Sequence, residues 1–378
     1  MDLSYSSDER DLIDLARQVF ATFDQDILAE SPPREVVPRA DRFMGEVAGT
    51  GLLGIGLDEE VGGSGGTLVD LGIVFREAGR AVVPTAIRST IGAALHIDQL
   101  GTTPQREEWL GRLTTGEVTA ALAIAEPGVD RRIDLITTTA SASADGWVLG
   151  GTKTLVENIS TAGVFVVAAL VAGEGAPTVK YFVVPAEAPG LSIETTTVIG
   201  EEDHGRLTLA DVPVPASGLL GEDPRRDSRA AAARAMLVFD ALRAQEMVGI
   251  AEQIVERTAE YVTTRHQFGR PIGTFQAVQH RVADMLIATR AAGHLANRAV
   301  WTLSEGLDAE RDVAASVVLA AKAAEIATLS AHQVHAGMGY AKESKLYLWS
   351  QRAKSLVLQT SGRRHQLQRV AESLFDAA

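Results

Sequence analysis

Apolar residues recur at helical spacing through the first third of the chain. The first stripe consists of Leu12, Leu15, Ala16, Val19 and Phe20. Ser6 is followed three residues later by Glu9, which is the spacing of a capping box and predicts a helix start. Further stripes predict helices over 67–81 and 107–115. We therefore expect residues 1–118 to form an N-terminal α-helical domain.

The apolar period changes after residue 118. Short runs rich in β-branched and aromatic residues follow at intervals of about a dozen residues, with Gly, Pro and Asp between them. The runs are 133–142, 147–155, 164–171, 179–184, 191–198 and 206–210. This spacing predicts a middle β domain over 119–222, built as an antiparallel sandwich or barrel. The run 164–171 is almost wholly apolar, which predicts a central strand buried on both faces.

Strand signals disappear in the last third of the chain. Helical periodicity is seen over 229–265, 275–303, 308–336, 344–358 and 364–375. These helices predict a C-terminal α-helical bundle domain over 223–378, of the four-helix-bundle kind. The predicted fold class is therefore α+β, with a β domain between two helical domains.

Composition and charge exclude several classes of function. The 378 residues carry a formal charge of −14, which is unsuited to binding nucleic acid. The chain has no cysteine, so disulfides, cysteine nucleophiles and cysteine-based metal sites are excluded. The N-terminal residues lack the basic segment and apolar core of a signal peptide, and no apolar run approaches the roughly 20 residues that span a bilayer. We expect a cytoplasmic protein without a membrane partner.

Two features resemble ligand sites only superficially. The glycine-rich stretch 59–66 follows no predicted strand and lacks the lysine of a P-loop, so we expect no nucleotide there. His266 and His280 have no further ligands at metal-binding spacing, so we expect no metal site and place both histidines in an interface or the core. His335 is expected to be structural.

The stretch 261–285 contains the most specific local pattern. Tyr261, Arg265 and Phe268 are predicted to share a helical face, which a Gly/Pro turn then interrupts before a second amphipathic helix. A cation near a helix C-terminus suits the helix dipole, so the arginine alone indicates no ligand.

Five segments together resemble the acyl-CoA dehydrogenase family over essentially the whole chain. They are RHQFGRPIGTFQAVQHRVADM at 265–285, AHQVHAGMGY at 331–340, AIAEP at 123–127, EEVGGSGGTLVDL at 59–71 and MDLSYSSDERDL at 1–12. The resemblance implies FAD as cofactor, an acyl-CoA thioester as substrate and an electron-transferring flavoprotein as electron acceptor. It also implies chemistry in which a carboxylate base removes the α-proton and the β-hydrogen leaves as hydride to the flavin.

The resemblance assigns one set of residues to a neighbouring subunit's FAD. Arg265 corresponds to the arginine that contacts the pyrophosphate, and the residues that accompany it are Phe268, Gln276, Gln333, Ala336 and Gly337. Guanidinium is well suited to a diphosphate. Ala336 stands where the family has glycine, but all other members of this set match the family pattern.

The residues that hold a subunit's own flavin depart from the family pattern. Ala125 and Val129 replace residues that carry hydroxyl groups, and Leu155 replaces a tryptophan. Glu157 stands where a hydroxyl meets the flavin ring, and an anion there would oppose formation of the anionic reduced flavin.

The family's catalytic carboxylate is missing as well. Its usual position is Thr360, and its alternative position on the long helix is Phe239. Asp240 is turned about 100° away from Phe239 around the helix, and Glu246 lies roughly 10 Å along the axis on the same face. Both are candidates for a displaced base, although a paired structural carboxylate is the simpler interpretation of Glu246.

Three functions remain open. The first is a non-catalytic subunit that completes the FAD site of a homologous catalytic subunit in an α2β2 complex. The second is a self-sufficient homotetrameric dehydrogenase that uses Glu246 or Asp240 as base. The third is a structural or acyl-CoA-binding descendant without redox activity.

Overall fold

The computed structural model describes residues 5–23, 25, 28, 42–129, 131–172, 176–200, 202–222, 227–360 and 362–375. Helices come first along the chain, strands follow, and helices return after the strands. The predicted α+β fold class is confirmed.

The described helices include every predicted one, with ends within a few residues of the predicted positions. They are α1 Ser7–Phe20, α2 Leu68–Ala81, α3 Thr85–Leu100, α4 Thr103–Thr114, α5 Arg229–Thr264, α6 Gln276–Ser304, α7 Glu310–His335, the short α8 Gly337–Tyr340, α9 Leu346–Gln359 and α10 Gly362–Phe375. Residues 42–48 are also helical. Ser6 and Thr67 begin α1 and α2 with complete capping boxes. Helix α3 has no one-sided apolar stripe because it is buried almost all round, so periodicity did not predict it.

Seven strands form one sheet. They are β1 Ala120–Ala123, β2 Thr139–Ser143, β3 Gly146–Glu157, β4 Val164–Val171, β5 Thr178–Pro185, β6 Leu191–Thr195 and β7 His204–Pro215. The order is β1-β4-β2-β3-β7-β6, with β5 on the other edge of β4. The antiparallel expectation holds for β2–β3, β3–β7, β6–β7 and β4–β5 but not for β4 with β1 or β2, which are parallel pairs. Spacing along a sequence contains no information on strand direction.

Strand β4 is the centre of the sheet, as its apolar run predicted. Val166 and Ala168 belong to one core cluster, whereas Phe165 and Val167 belong to the cluster on the opposite face. Successive side chains of a strand point to opposite faces, so β4 needs apolar residues at every position.

A buried carboxylate fixes the segment that leads into β2. Glu126 accepts hydrogen bonds from the backbone and hydroxyl groups of Thr137 and Thr138, at 2.6–2.9 Å. It also accepts one from Lys153 Nζ at 2.7 Å. The backbone N–H groups of Thr137 and Thr138 thus donate to the carboxylate and not to a neighbouring strand. Strand β2 begins at Thr139 and not at the predicted residue 133.

The chain divides into two compact units. The helical unit consists of Met1–Ser31, Thr67–Val83 and Asp240–Ala378, and the sheet unit consists of Pro32–Gly66 and Pro84–Phe239. The domain boundaries expected at residues 118 and 222 stay a prediction. The two units group residues by contact in space, and each unit combines separate stretches of the chain.

Backbone contact between α2 and α5 organises the helical unit. A Cβ on Gly79 would lie 2.1 Å from the carbonyl oxygen of Glu246, and one on Gly249 would lie 1.9 Å from that of Arg76. Only glycine permits such an approach. The crossing places Glu246 at the centre of the unit, where it is 2 % exposed.

Helix α7 is long and apolar enough to meet the length and hydropathy criteria for a membrane span, which the sequence expectation did not foresee. Its apolar window is 67 % buried within the protein, and burial in a helical core explains that composition.

Helix α7 ends in a strained turn. Ala336, directly after its last residue, has φ 52° and ψ −127°. L residues rarely adopt this backbone conformation, which suits the glycine that the family has at this position.

Relief of this strain should be measurable. We expect Ala336→Gly to raise the free energy of unfolding by about 1 kcal/mol, because strain relief exceeds the added flexibility of the unfolded chain. Chemical denaturation of the two proteins measures the difference. Ala341→Gly is the matched control, because Ala341 has an ordinary φ of −74° and should lose stability. Equal losses in both variants would contradict the strain.

The Glu126 cluster predicts a pH-dependent stability. Burial alone would raise the pKa of Glu126, but hydrogen bonds from Lys153 and Thr138 lower it to about 2. The folded pKa lies below the usual value of 4.5, so the stabilisation is complete above that pH and is lost as the pH falls towards 2. We expect Glu126→Gln to cost about 3 kcal/mol near neutral pH.

The stability gap between wild type and Glu126→Gln should shrink by about 1 kcal/mol on going from about pH 6 to about pH 3.5. Urea unfolding at each pH measures it. Exposed Glu187, replaced by Gln, is the control and should show no comparable gap at any pH. A gap for Glu126→Gln that does not change with pH would contradict the assignment.

Candidate functional site

The segment 261–285 forms a turn that projects from the end of α5. The helix ends at Thr264, and Gln267 pairs with Arg270 in a small antiparallel hairpin. Phe268 and Gly269 form its two-residue loop and both have positive φ, of 53° and 78°. Such loops match the twist of a hairpin. The predicted helical face shared by Tyr261, Arg265 and Phe268 is therefore wrong for Phe268, which lies beyond the helix.

The cofactor-binding candidates of this segment all lie on the surface. Arg265 and Gln276 are exposed, and Phe268 is 92 % exposed. Phe268 and Phe275 form an edge-to-face pair at a centroid distance of 6.0 Å, and the Arg270 guanidinium covers the Phe275 ring at 4.2 Å. A phenylalanine exposed at a hairpin tip loses the stabilisation that burial would give and is accessible to another molecule.

The second segment is equally open. Gln333, Ala336 and Gly337 are exposed, and a Cβ on Gly337 would meet nothing within 4 Å. The helical unit thus presents a guanidinium, an aromatic ring, two amides and an open backbone turn. A guanidinium suits a diphosphate, and the set as a whole suits a diphosphate-linked ring cofactor such as FAD.

Glu246 is a partner in a buried ion pair. Its Oε1 accepts a hydrogen bond from Arg352 Nη1 at 3.1 Å, and both side chains are almost completely buried. Arg352 Nη2 also donates to the Val83 carbonyl at 2.9 Å. Removing one partner of a buried pair leaves an uncompensated charge, so this geometry suits a structural carboxylate better than a proton acceptor.

Asp240 also lies beside an arginine. Its Oδ1 is 3.7 Å from Arg243 Nη1, and both residues are buried. Arg243 contacts the Gln359 carbonyl at 3.5 Å, next to Thr360. The carboxylate thus has a nearby cation on its own helix.

The two family base positions hold groups that cannot remove a proton as a carboxylate does. Phe239 is 1 % exposed, and its ring lies 2.7 Å from the position of a Cβ built on Gly92 of α3. Thr360 is 1 % exposed, donates its hydroxyl to the Val357 carbonyl and accepts from Gln366 through its own carbonyl.

The positions expected beside this chain's own flavin contain a buried ionic cluster. Glu157 accepts from Arg88 Nη2 at 2.7 Å, and His204 Nε2 lies 3.7 Å away. Glu202 lies 3.8 Å from the same guanidinium. Arg88 therefore compensates the charge of Glu157. This weakens the expectation that the Glu157 carboxylate would oppose formation of an anionic reduced flavin.

Arg88 is the residue that sequence reasoning missed. It lies in α3, which had no predicted stripe, and the available signal was a single charge in the otherwise uncharged stretch 85–95. Leu155, at the tryptophan position, is 52 % exposed with φ 51°. Ala125 is buried and offers no hydroxyl, while neighbouring Glu126 is occupied by its cluster.

The described residues contain no group of three or more His, Asp or Glu side chains that could hold a metal ion. His266 and His280 are exposed, so neither lies in the core of this chain. His335 is buried at the end of α7.

Comparisons with known proteins show the family of this chain. The acyl-CoA dehydrogenase N-terminal, middle and C-terminal domain profiles match residues 6–117, 121–212 and 231–363. An acryloyl-CoA reductase (NADH) of Anaerotignum propionicum is 33% identical over 357 residues, which cover 92% of this chain and 89% of that protein.

Two solved structures share the fold at low identity. One chain of the ChsE4-ChsE5 complex of Mycobacterium tuberculosis matches with a TM-score of 0.84 at 24% identity, and the match covers 99% of this chain and 99% of that chain. A glutaryl-CoA dehydrogenase of Mycobacterium smegmatis in complex with FADH2 has a TM-score of 0.89 at 20% identity, with 98% of this chain and 95% of that chain covered. The chain belongs to the acyl-CoA dehydrogenase family.

Proposed function

We propose that this chain is the non-catalytic subunit of an FAD-dependent acyl-CoA dehydrogenase of α2β2 composition. It would complete the cofactor site of a homologous, base-bearing subunit. The observation that carries the proposal is the contrast between the candidate FAD-contacting residues and the candidate catalytic bases. The groups suited to a neighbour's FAD are exposed, whereas both candidate bases lie beside buried arginines.

Each exposed group has a definite role in the proposed site. The Arg265 guanidinium would bind the diphosphate in bidentate fashion, and Phe268 would cover an aromatic ring of the cofactor. The open turn at Ala336 and Gly337 would let the backbone approach the cofactor closely. When bound, FAD supplies the capacity to accept hydride from the β-carbon of an acyl-CoA.

Proton removal would belong to the partner. The α-proton of a thioester needs a carboxylate within hydrogen-bonding reach, and neither Thr360 nor Phe239 provides one. The ChsE4-ChsE5 complex, two differently named chains in one assembly, supports a heteromeric arrangement for this fold. A cytoplasmic location and an electron-transferring flavoprotein as acceptor are parts of the same proposal.

The competing function is a homotetramer that uses Glu246 or Asp240 as base. It requires one of these carboxylates to leave its arginine during turnover, and the short Glu246–Arg352 contact opposes this for Glu246. For Asp240 the contact with Arg243 is longer, at 3.7 Å.

Flavin content tests the proposal. Expressed alone, the chain should retain far less than one FAD per chain and show no acyl-CoA oxidation. Co-expression with a dehydrogenase-like chain that has the missing carboxylate should give a yellow, active complex. The number of FAD molecules per chain is measured from the flavin absorbance maximum and the amount of denatured protein. The control variant Arg265→Gln should lower FAD retention in that complex about tenfold or more. An active, stoichiometrically flavin-loaded preparation of this chain alone would refute the proposal.

Replacement of the candidate bases separates structure from catalysis. Glu246→Gln should lower the free energy of unfolding by about 3 kcal/mol, because Arg352 would be left buried without its anion. Replacing both residues, as Glu246→Gln with Arg352→Met, should recover much of that loss. Thermal unfolding and steady-state turnover of the complex provide the two measurements.

Turnover of the complex should persist in both Glu246→Gln and Asp240→Asn at temperatures where the variants are folded. Abolished turnover in a folded variant would contradict the assignment of proton removal to the partner.

A further inference from the structure

One pair of stacked rings joins the two segments that carry the exposed groups. The Tyr261 ring lies on the His335 imidazole with a centroid distance of 4.0 Å and an angle of 21° between planes. Tyr261 lies one helical turn before Arg265, whose backbone N–H donates to the Tyr261 carbonyl at 2.9 Å. His335 is the last residue of α7 and directly precedes Ala336. The stack therefore bridges the two segments.

The imidazole in this stack is held in one orientation. His335 Nδ1 donates to the Ala331 carbonyl at 2.8 Å, within its own helix. Burial lowers the pKa of His335 despite this hydrogen bond, and the nearby charge of Arg257 lowers it further. A neutral ring with a fixed tautomer gives Tyr261 a flat surface in a constant position.

The far side of the turn is anchored separately. His332 Nδ1 donates to the Gly339 carbonyl at 2.6 Å, and its Nε2 is hydrogen-bonded to the Ser350 hydroxyl at 2.7 Å. Ser350 belongs to α9, so the turn after α7 is tied to a second helix. With both sides fixed, the Tyr261–His335 stack sets the separation between this turn and Arg265.

We infer that Tyr261 and His335 are positioning residues for the neighbour's FAD. The stack fixes Arg265 and the turn at 336–337 relative to each other, so that an incoming dinucleotide would meet both segments already in place. The two segments are then already ordered in the folded chain, so FAD binding does not lose free energy in ordering them. This inference rests on the proposed function, because it concerns the same cofactor site.

The test uses the complex of this chain with its catalytic partner. Tyr261→Leu removes the ring, and Tyr261→Phe keeps it; the described residues give the Tyr261 hydroxyl no hydrogen bond. We expect the Kd for FAD, measured by flavin fluorescence, to rise about tenfold in Tyr261→Leu and to change less than about twofold in Tyr261→Phe. At saturating FAD, kcat should stay unchanged in both, because neither residue takes part in the chemistry.

A second pair of variants repeats the test from the other ring. His335→Phe preserves a stack, whereas His335→Ala removes it, so only the alanine variant should weaken FAD binding. This pair also decides the matter if Tyr261→Leu fails to fold. Equal FAD affinity in the ring-removing and ring-keeping variants, or equal losses in both, would overturn the inference.

Arg265→Gln separates this inference from the function on which it rests. If Arg265→Gln weakens FAD binding and the ring-removing variants do not, the positioning role is wrong and the proposed function stands. If Arg265→Gln leaves FAD binding unchanged as well, the proposed site itself is wrong.

Discussion

The buried ion pair between Glu246 and Arg352 is the constraint on which the helical unit depends. Glycines at the crossing of α2 and α5 bring two backbones into contact and leave Glu246 at the centre, away from water. A charge in that position must be compensated, and Arg352 does so while it also donates to the Val83 carbonyl. The same pairing that permits the fold makes Glu246 a poor proton acceptor.

The distribution of polar groups follows from this constraint. Three buried carboxylates are paired with cations: Glu126 with Lys153, Glu157 with Arg88, and Glu246 with Arg352. The groups suited to a cofactor lie outside, at the hairpin tip and at the turn after α7. This division of polar groups is the basis of our proposal that the chain contributes a binding surface to a partner's site.

The sequence was sufficient for features with a local physical cause. Capping boxes and apolar stripes predicted α1, α2 and the C-terminal helices, and the apolar run at 164–171 predicted a doubly buried strand. Features set by distant partners could not be predicted. The Arg88–Glu157 pair joins residues far apart in the chain, and the parallel pairing of β4 depends on topology.

Within the candidate site, the same division holds. The arginine and aromatic at 265 and 268 were recognisable from their motif, but the hairpin that exposes Phe268 was not, because a phenylalanine with positive φ is a rare choice. Burial of Glu246 and the strain at Ala336 are tertiary properties that a motif does not contain.

A structure of the complex between this chain and its catalytic partner, with FAD bound, tests the central claim most directly. The account predicts that the Arg265 guanidinium lies within hydrogen-bonding distance of the cofactor diphosphate, while the flavin ring lies against the partner's middle domain. A flavin ring seated against this chain's own Leu155 and Glu157, with Arg265 remote from every cofactor, would contradict it.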